Sequence, residues 1–430
     1  QVMFDQCKAL IIGLQKRGAV VGSSLNTAYL LERLSQTLER LETLMAIFVS
    51  NRYLPRRILL LTGCFARAAA ERHSISRLWK QSSGLMARSV TQNAGDHGEH
   101  YITRDKKEYW AMFYSAAGGG VLIALMALFK TYLGSIIDDK VWKGIAEGLN
   151  YGLGFMVIFM LHFTVATKQP AMTAARFAEA VEKTPQGKTV NVKLAQLLVD
   201  VFRSQSIAVL GNVLIAMGLA ALIAFGYQYK TGEPLMNADQ IAYQLHSIDP
   251  FAGTLWFAAI AGVWLFCSGI ISGYFDNRSN YLNMRMRLTQ HPLLKKLMSE
   301  KTRVKFANYM HDNYGSLIGN LCFGMLLGIT GVVGYLTHLP LDIRHVAFSS
   351  ANVGYIAVSG QFTYSLLLQC IGFVLLIGLV NLIVSFSLTL WVALRSLNAE
   401  IDSWWPIWHE VCQIVKKRPL SLFLPVQLDK

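Results

Sequence analysis

Arg344, His345 and Tyr355 fall in the stretch LPLDIRHVAFSSANVGY, residues 339–355. These three residue types can do phosphoryl chemistry together. A phenol oxygen attacks a phosphodiester while the two basic side chains hold the phosphate. Asp342 and Arg344 are the only full charges in the stretch, which lies between two long apolar runs. Whether it meets DNA depends on the elements that carry it and on the side of a membrane it faces.

Of the 430 residues, 53% are hydrophobic and only 15% are charged. Soluble globular chains carry about 25% charged residues. Six apolar runs lie approximately at 112–132, 149–167, 207–227, 255–275, 316–337 and 363–394. The first five are close to the ~20 residues that cross a hydrocarbon layer. The sixth is longer, so it is expected to tilt, to extend past the membrane, or to break near Gly372 or Gly378. The expected fold class is all-α. A polytopic bundle of about six spans covers 112–394. A basic helical region over 1–111 precedes it, and an interfacial tail over 395–430 follows.

The 40 Lys and Arg residues alternate between rich and poor segments along this order, 35 on one set of sides and 5 on the other. Cationic loops stay in the cytoplasm, so both termini are expected there. Residues 339–355 then face outward, away from chromosomal DNA. The expectation is a short loop or partly re-entrant segment on the outer end of the bundle, with Asp342 and Arg344 paired locally. An external ligand site at Asp342, Arg344 and His345 is the functional alternative. Net charge is +14, which suits anionic lipid at the cytoplasmic face. DNA is a candidate partner for the same charge.

Four polar candidates lie well inside the apolar runs: His162, Asn212, Asn320 and Asn381. An amide in hydrocarbon seeks a partner on another helix, and an ionisable group at depth is a functional candidate. GNVLIAMGLAALIAFGY (211–227) and GNLCFGMLLGITGVVGY (319–335) align without a gap. The likeness suggests a parallel repeat of the third and fifth spans, with Asn212 and Asn320 at equal depth. The asparagines read as helix glue or as a polar pathway.

Elsewhere the patterns are structural. Leu31, Leu34, Leu38, Leu41, Met45 and Phe48 form one apolar helix stripe, with Ser23 or Ser24 as its cap. Arg56, Arg57, Arg67, Arg72 and Arg77 stud a second helical stretch. The segments 168–206 and 276–315 have the periodicity or charge of basic helices at the membrane surface. Trp404, Trp405 and Trp408, followed by Lys416, Lys417 and Arg418, form an interfacial anchor. His97, Glu99 and His100 are too few for a metal site. HEVCQ (409–413) lacks the second histidine of HExxH, and no phosphate-binding GxxxxGK[ST] occurs. The six cysteines form no CxxC and read as reduced packing residues. No metal or cofactor is expected. Ser89, Tyr281 and Tyr309 are cytoplasmic nucleophile candidates, but none sits in an arginine-rich catalytic pattern. HSISR (73–77) has the wrong spacing for the HxxR of tyrosine recombinases. Residue 1 is Gln, and the chain is expected to start inside a longer one.

SAAGGG (115–120), FTVATKQPAMTAA (163–175), SGYFDNRSNY (272–281) and LPLDIRHVAFSSANVGY resemble a family of multi-pass proteobacterial membrane proteins catalogued as "site-specific recombinase". The resemblance covers most of residues 1–360. It implies a bacterial inner-membrane location, further helical sequence before residue 1 and, by name, a link to DNA recombination. It supplies no catalytic residues, because no recombinase motif is matched. Three functions stay open: a membrane factor acting on DNA, a transporter, channel or lipid-handling protein, and a membrane scaffold.

Overall fold

The computed structural model describes residues 2–21, 25–49, 54–70, 102–103, 105–166, 174, 177, 180–181, 188–359, 362–396, 401 and 403–425. No strand occurs among them. Ser23, Ser24, Arg72, Arg77, Ser89, His97, Glu99 and His100 lie outside the described residues, as do the side chains of Phe48, Arg57 and Arg67.

The chain forms two compact units. The first holds Gln1–Asn93, Gly273–Tyr314 and Arg395–Asn398. Within it, α1 (Val2–Val21), α2 (Leu25–Val49) and α3 (Leu54–Ala70) pack consecutively, and Lys8 pairs with Glu42 between α1 and α2. The apolar stripe on α2 stays largely open, with Leu34 50% and Met45 48% exposed. The short helices α9 (Met284–Gln290) and α10 (Pro292–Leu297) also belong here.

The second unit holds Ala94–Ser272, Gly315–Leu394 and Ala399–Lys430. It contains α4 (Lys106–Ile136), α5 (Lys140–Met160), α6 (Lys188–Thr231), α7 (Ala238–Ile248), α12 (Val346–Ala357) and α14 (Trp405–Lys417). It also contains most of α8 (Thr254–Tyr281), α11 (Glu300–Thr337) and α13 (Tyr364–Ser396). Local chemistry sets the starts. Asp105 accepts from the Glu108 amide at 2.7 Å to cap α4, and Asp139 accepts from Val141 and Trp142 to cap α5. Asn237 and Gln240 form a reciprocal capping box on α7.

Among the described residues, five helices are long and apolar enough to cross a membrane: α4, α6, α8, α11 and α13. The expected count was six. The difference is α5, whose 21 residues (about 31 Å) include Lys140, Lys143 and Glu147. The long last span does not break, because α13 runs unbroken through Gly372 and Gly378. The segments 188–206 and 300–315 are helical, but each continues into a candidate span rather than forming a separate helix. Leu222, Phe225 and Ile383 are more than half exposed on these helices. Water would penalise so much open apolar surface, whereas lipid would not.

The helix directions follow from contacts. Ala116 and Gly120 of α4 meet Asn212 and Ala216 of α6, so these two run parallel. Met126 and Lys130 of α4 meet Asn150 and Glu147 of α5, which therefore runs back. Gly262 of α8 meets Asn381 and Val384 of α13 in a parallel pair, while Trp264 and Ser272 of α8 meet Thr330 and Gly319 of the antiparallel α11. Where α5 and α11 cross, also antiparallel, Gly148 and Gly152 lie against Gly328 and Gly324. Only glycine fits there: a Cβ at Gly328 would collide with the backbone of Gly144 and Gly148.

Candidate functional site

Residues 346–357 are not a loop. They form α12, a 12-residue helix with ten buried residues. At about 18 Å it is too short to cross a ~30 Å core. Away from its N-terminal end it packs among apolar side chains, which is why a sequence as mild as VAFSSANVGYIA can sit inside the bundle. Tyr151 of α5 packs on Phe348 at 4.4 Å, and Gly354 lies against the Met217 carbonyl of α6.

The stretch leading into α12 lines a cavity of about 450 Å³. Its walls come from the C-terminal end of α4, the N-terminal half of α5, α7 and the start of α12. Three cations line it, Lys130, Lys143 and Arg344, together with three carboxylates, Glu147, Asp239 and Asp342. Arg344 and Asp342 pair at 2.7 Å, as their sequence proximity suggested. Arg344 also donates to the Ser247 carbonyl at 2.8 Å and lies over the Phe257 ring at 5.4 Å. Its head group is thus fixed on several sides. Lys130 pairs with Glu147 at 3.5 Å. Among the described residues, Lys143 and Asp239 make no ion pair. His345 sits at the cavity's inner end among the rings of Phe155, Phe323 and Phe348, and burial pushes its imidazole down to about 4.

Asn381 holds this entry stretch in shape. Its Nδ2 donates to the Arg344 carbonyl at 3.0 Å and to the Ala258 carbonyl of α8 at 2.7 Å, while its Oδ1 accepts from the Val346 amide at 3.2 Å. The extended backbone through His345 would otherwise leave polar groups bare inside the bundle. Asn212 acts alike at another place. Its Nδ2 donates to the carbonyls of Thr164 and Ala116, and its Oδ1 accepts from the Ala166 amide at 2.9 Å.

The other two intramembrane candidates differ from expectation. Asn320 donates to Ser316, one turn back in its own helix, and joins no second helix through that bond. His162 does not lie within a span helix: α5 ends at Met160, and His162 is an exposed turn residue with φ 58°. The four candidates therefore do not converge on one site. Trp405 and Trp408 are exposed near the start of α14, as an anchor requires, while Trp404 stacks on Phe177 at 6.1 Å. The cavity charges Lys130, Lys143, Glu147 and Asp239 escaped sequence reasoning, which sought charges in the middle of spans. Arg203 also escaped it: buried, it pairs with Asp200 at 2.9 Å and donates to the Thr103 carbonyl.

Nucleophilic chemistry finds no support at Tyr355, which is 2% exposed and donates its hydroxyl to the Ala124 carbonyl. Among the described residues no group of three His, Cys, Asp or Glu could hold a metal ion. No curated protein and no solved structure matches the chain. One family model does, described as site-specific recombinase, over residues 1–425. A match over nearly the whole length makes the chain a member of the site-specific recombinase family.

Proposed function

We propose that this chain is an inner-membrane protein of the transport class that binds a small zwitterionic solute in the Arg344 cavity. The observation that carries this reading is the pairing of spare charges there. Two ion pairs are already made, and Lys143 and Asp239 remain for a solute bearing one carboxylate and one ammonium group. The N-terminal end of α12 also faces the cavity, and its dipole favours a negative group there. Broken helices with their ends aimed at a mid-bundle site are a recurring device of secondary transporters.

In this reading α5 crosses the membrane as the sixth span. Lys143 and Glu147 then face the cavity rather than lipid, which removes the objection to its charge. The cavity mouth faces the outside, and the cation-rich segments contact anionic lipid within. The family's name points instead to DNA. Its support here is the basic charge of the first unit, which a lipid surface attracts equally well.

The test uses the purified chain in detergent with the common amino acids as probes, and acetate and methylammonium as single-charge controls. Ligand at a hundredfold excess over Kd stabilises a fold by about 2.7 kcal/mol, enough to move a melting curve. At least one amino acid should raise the melting temperature, and K143Q and D239N should each abolish the rise. No stabilisation by any zwitterion, or stabilisation that survives both substitutions, would refute the reading.

A further inference from the structure

The bonds at Asn381 are repeated at Asn212, group for group. The Thr164 amide donates to the Ser115 carbonyl, and the Arg344 amide donates to the Phe257 carbonyl. Each asparagine amide then binds the next carbonyl of that same first helix, Ala116 or Ala258. Each also binds the carbonyl of Thr164 or Arg344 and accepts from the amide two residues on. One turn further along the first helix, Gly120 and Gly262 bring the backbone against the carbonyl of Asn212 and of Asn381.

The correspondence is consistent in sequence. Ser115, Ala116 and Gly120 each lie 142 residues before Phe257, Ala258 and Gly262. Thr164 and Ala166 each lie 180 residues before Arg344 and Val346. The same spacing of 180 holds where α5 crosses α11. There the Gly144–Val332 contact is the image of the Gly324–Gly152 contact, and Gly148–Gly328 is its own image. AAGGGV (116–121) matches AAIAGV (258–263), and LGNVLIA (210–216) resembles LVNLIVS (379–385). Direction supplies the last piece. In each half the first and last helices are parallel and the middle one opposes them, yet α5 and α11 are antiparallel. The two halves therefore run in opposite senses.

We infer that the membrane unit is an inverted duplication, α4–α5–α6 and α8–α11–α13, with its two-fold axis at the Gly148–Gly328 crossing. Asn212 and Asn381 are equivalent latches. Each closes a gate, 164–166 or 344–346, and the two gates face opposite sides of the membrane. The partner of α6 is thus α13, not α11 as the third-and-fifth-span likeness suggested. A hydrogen-bonded gate at each face is what passage by alternating access requires. The gate role rests on the transport reading. The duplication does not.

The experiment uses the full chain with its native cysteines replaced and single cysteines introduced. A membrane-impermeant maleimide is applied to right-side-out and inside-out vesicles. His162→Cys and Asp342→Cys occupy equivalent positions and should label from opposite faces. Labelling from the same face overturns the duplication. Val165→Cys and His345→Cys, both buried at rest, report the gates. Each latch makes three hydrogen bonds, so N212A should speed labelling of Val165→Cys at least tenfold and leave His345→Cys unchanged. N381A should do the converse. If each variant speeds both sites or neither, the latches are not independent gates. N212D and N381D keep the shape and lose the donors, and they replace any alanine variant that fails to fold. Amino-acid binding is measured separately, so loss of the solute reading leaves the face-labelling result intact.

Discussion

Tyr355 donates its hydroxyl to the carbonyl oxygen of Ala124 at 2.8 Å, joining α12 to α4 across 231 residues of chain. The residue that most suggested a phosphodiester nucleophile is therefore a structural strut. Its burial keeps phosphate away, and its proton is already committed. Replacing it with phenylalanine should cost about 1 kcal/mol of stability and nothing else. Supercoiled DNA incubated with the purified chain should yield no covalent protein–DNA adduct, before or after the substitution. An adduct that Y355F removes would restore the catalytic reading. Salt-sensitive binding alone would not, since cationic surfaces hold phosphate nonspecifically and release it as salt rises.

Gly328 and Gly331 make a paired test of the α5–α11 crossing. A Cβ at Gly328 would strike backbone that has no rotamer to give, whereas Gly331 has open space around its Cβ position. G328A should destabilise the fold by about 1–3 kcal/mol through overpacking. G331A should be neutral, or stabilise by up to about 1 kcal/mol as alanine replaces glycine in a helix. Thermal midpoints of the two variants in one detergent check the ordering. Equal effects would mean that the close approach does not govern stability.

His345 gives a pH dependence with a definite sign. Its folded value near 4 lies below the ordinary 6.5, because burial disfavours the charged imidazole. The unfolded chain therefore takes up a proton first as pH falls. The stability carried by neutral His345 is complete above about pH 6.5 and is lost progressively between 6.5 and 4. By pH 4 the loss reaches roughly 3 kcal/mol. Unfolding midpoints from pH 7.5 to 4.5, for the native chain and H345N, isolate this share from that of the carboxylates. The native chain should lose more stability than H345N over this range. Parallel curves would show that His345 does not carry it.

Much of the fold was readable because hydrophobic length is a strong signal. Five of six expected spans are helices of the right length near the expected places. The misreadings share one cause: an apolar run does not reveal where the backbone turns. The run at 149–167 continues through Leu161, Phe163 and Val165, but the helix ends at Met160 and the backbone leaves helical geometry at His162. The small, mildly polar stretch that became α12 read as a short loop or partly re-entrant segment, although Ser350 satisfies itself by donating to the Ala347 carbonyl within its own turn. Asn381 was legible only as a polar residue inside a span. Asn212 was paired with Asn320 because local residue likeness favoured α11, whereas the bonds of Asn212 recur at Asn381, between segments distant in sequence.

The remaining prediction concerns α5, on which the topology turns. If α5 crosses, the Lys and Arg alternation along the chain holds and both ends of the chain are inside. Reporter fusions at Asp239 and His338 should then read as external, and fusions at Thr184 and Glu300 as internal. If α5 does not cross, every segment after Met160 changes sides, so Asp239 reads as internal and Glu300 as external. That arrangement would expose the basic segments near 285–305 to the outside, against the strong retention of cationic loops in the cytoplasm. The antiparallel contacts of α4 with α5 argue the same way. Lys130 and Glu147 meet near the end of α4, and Met126 and Asn150 meet about one turn deeper. A helix that follows its neighbour back from that end returns the chain to the side it came from. Fusions at Ser135 and Thr184 on opposite sides would establish the crossing, and both on one side would remove it.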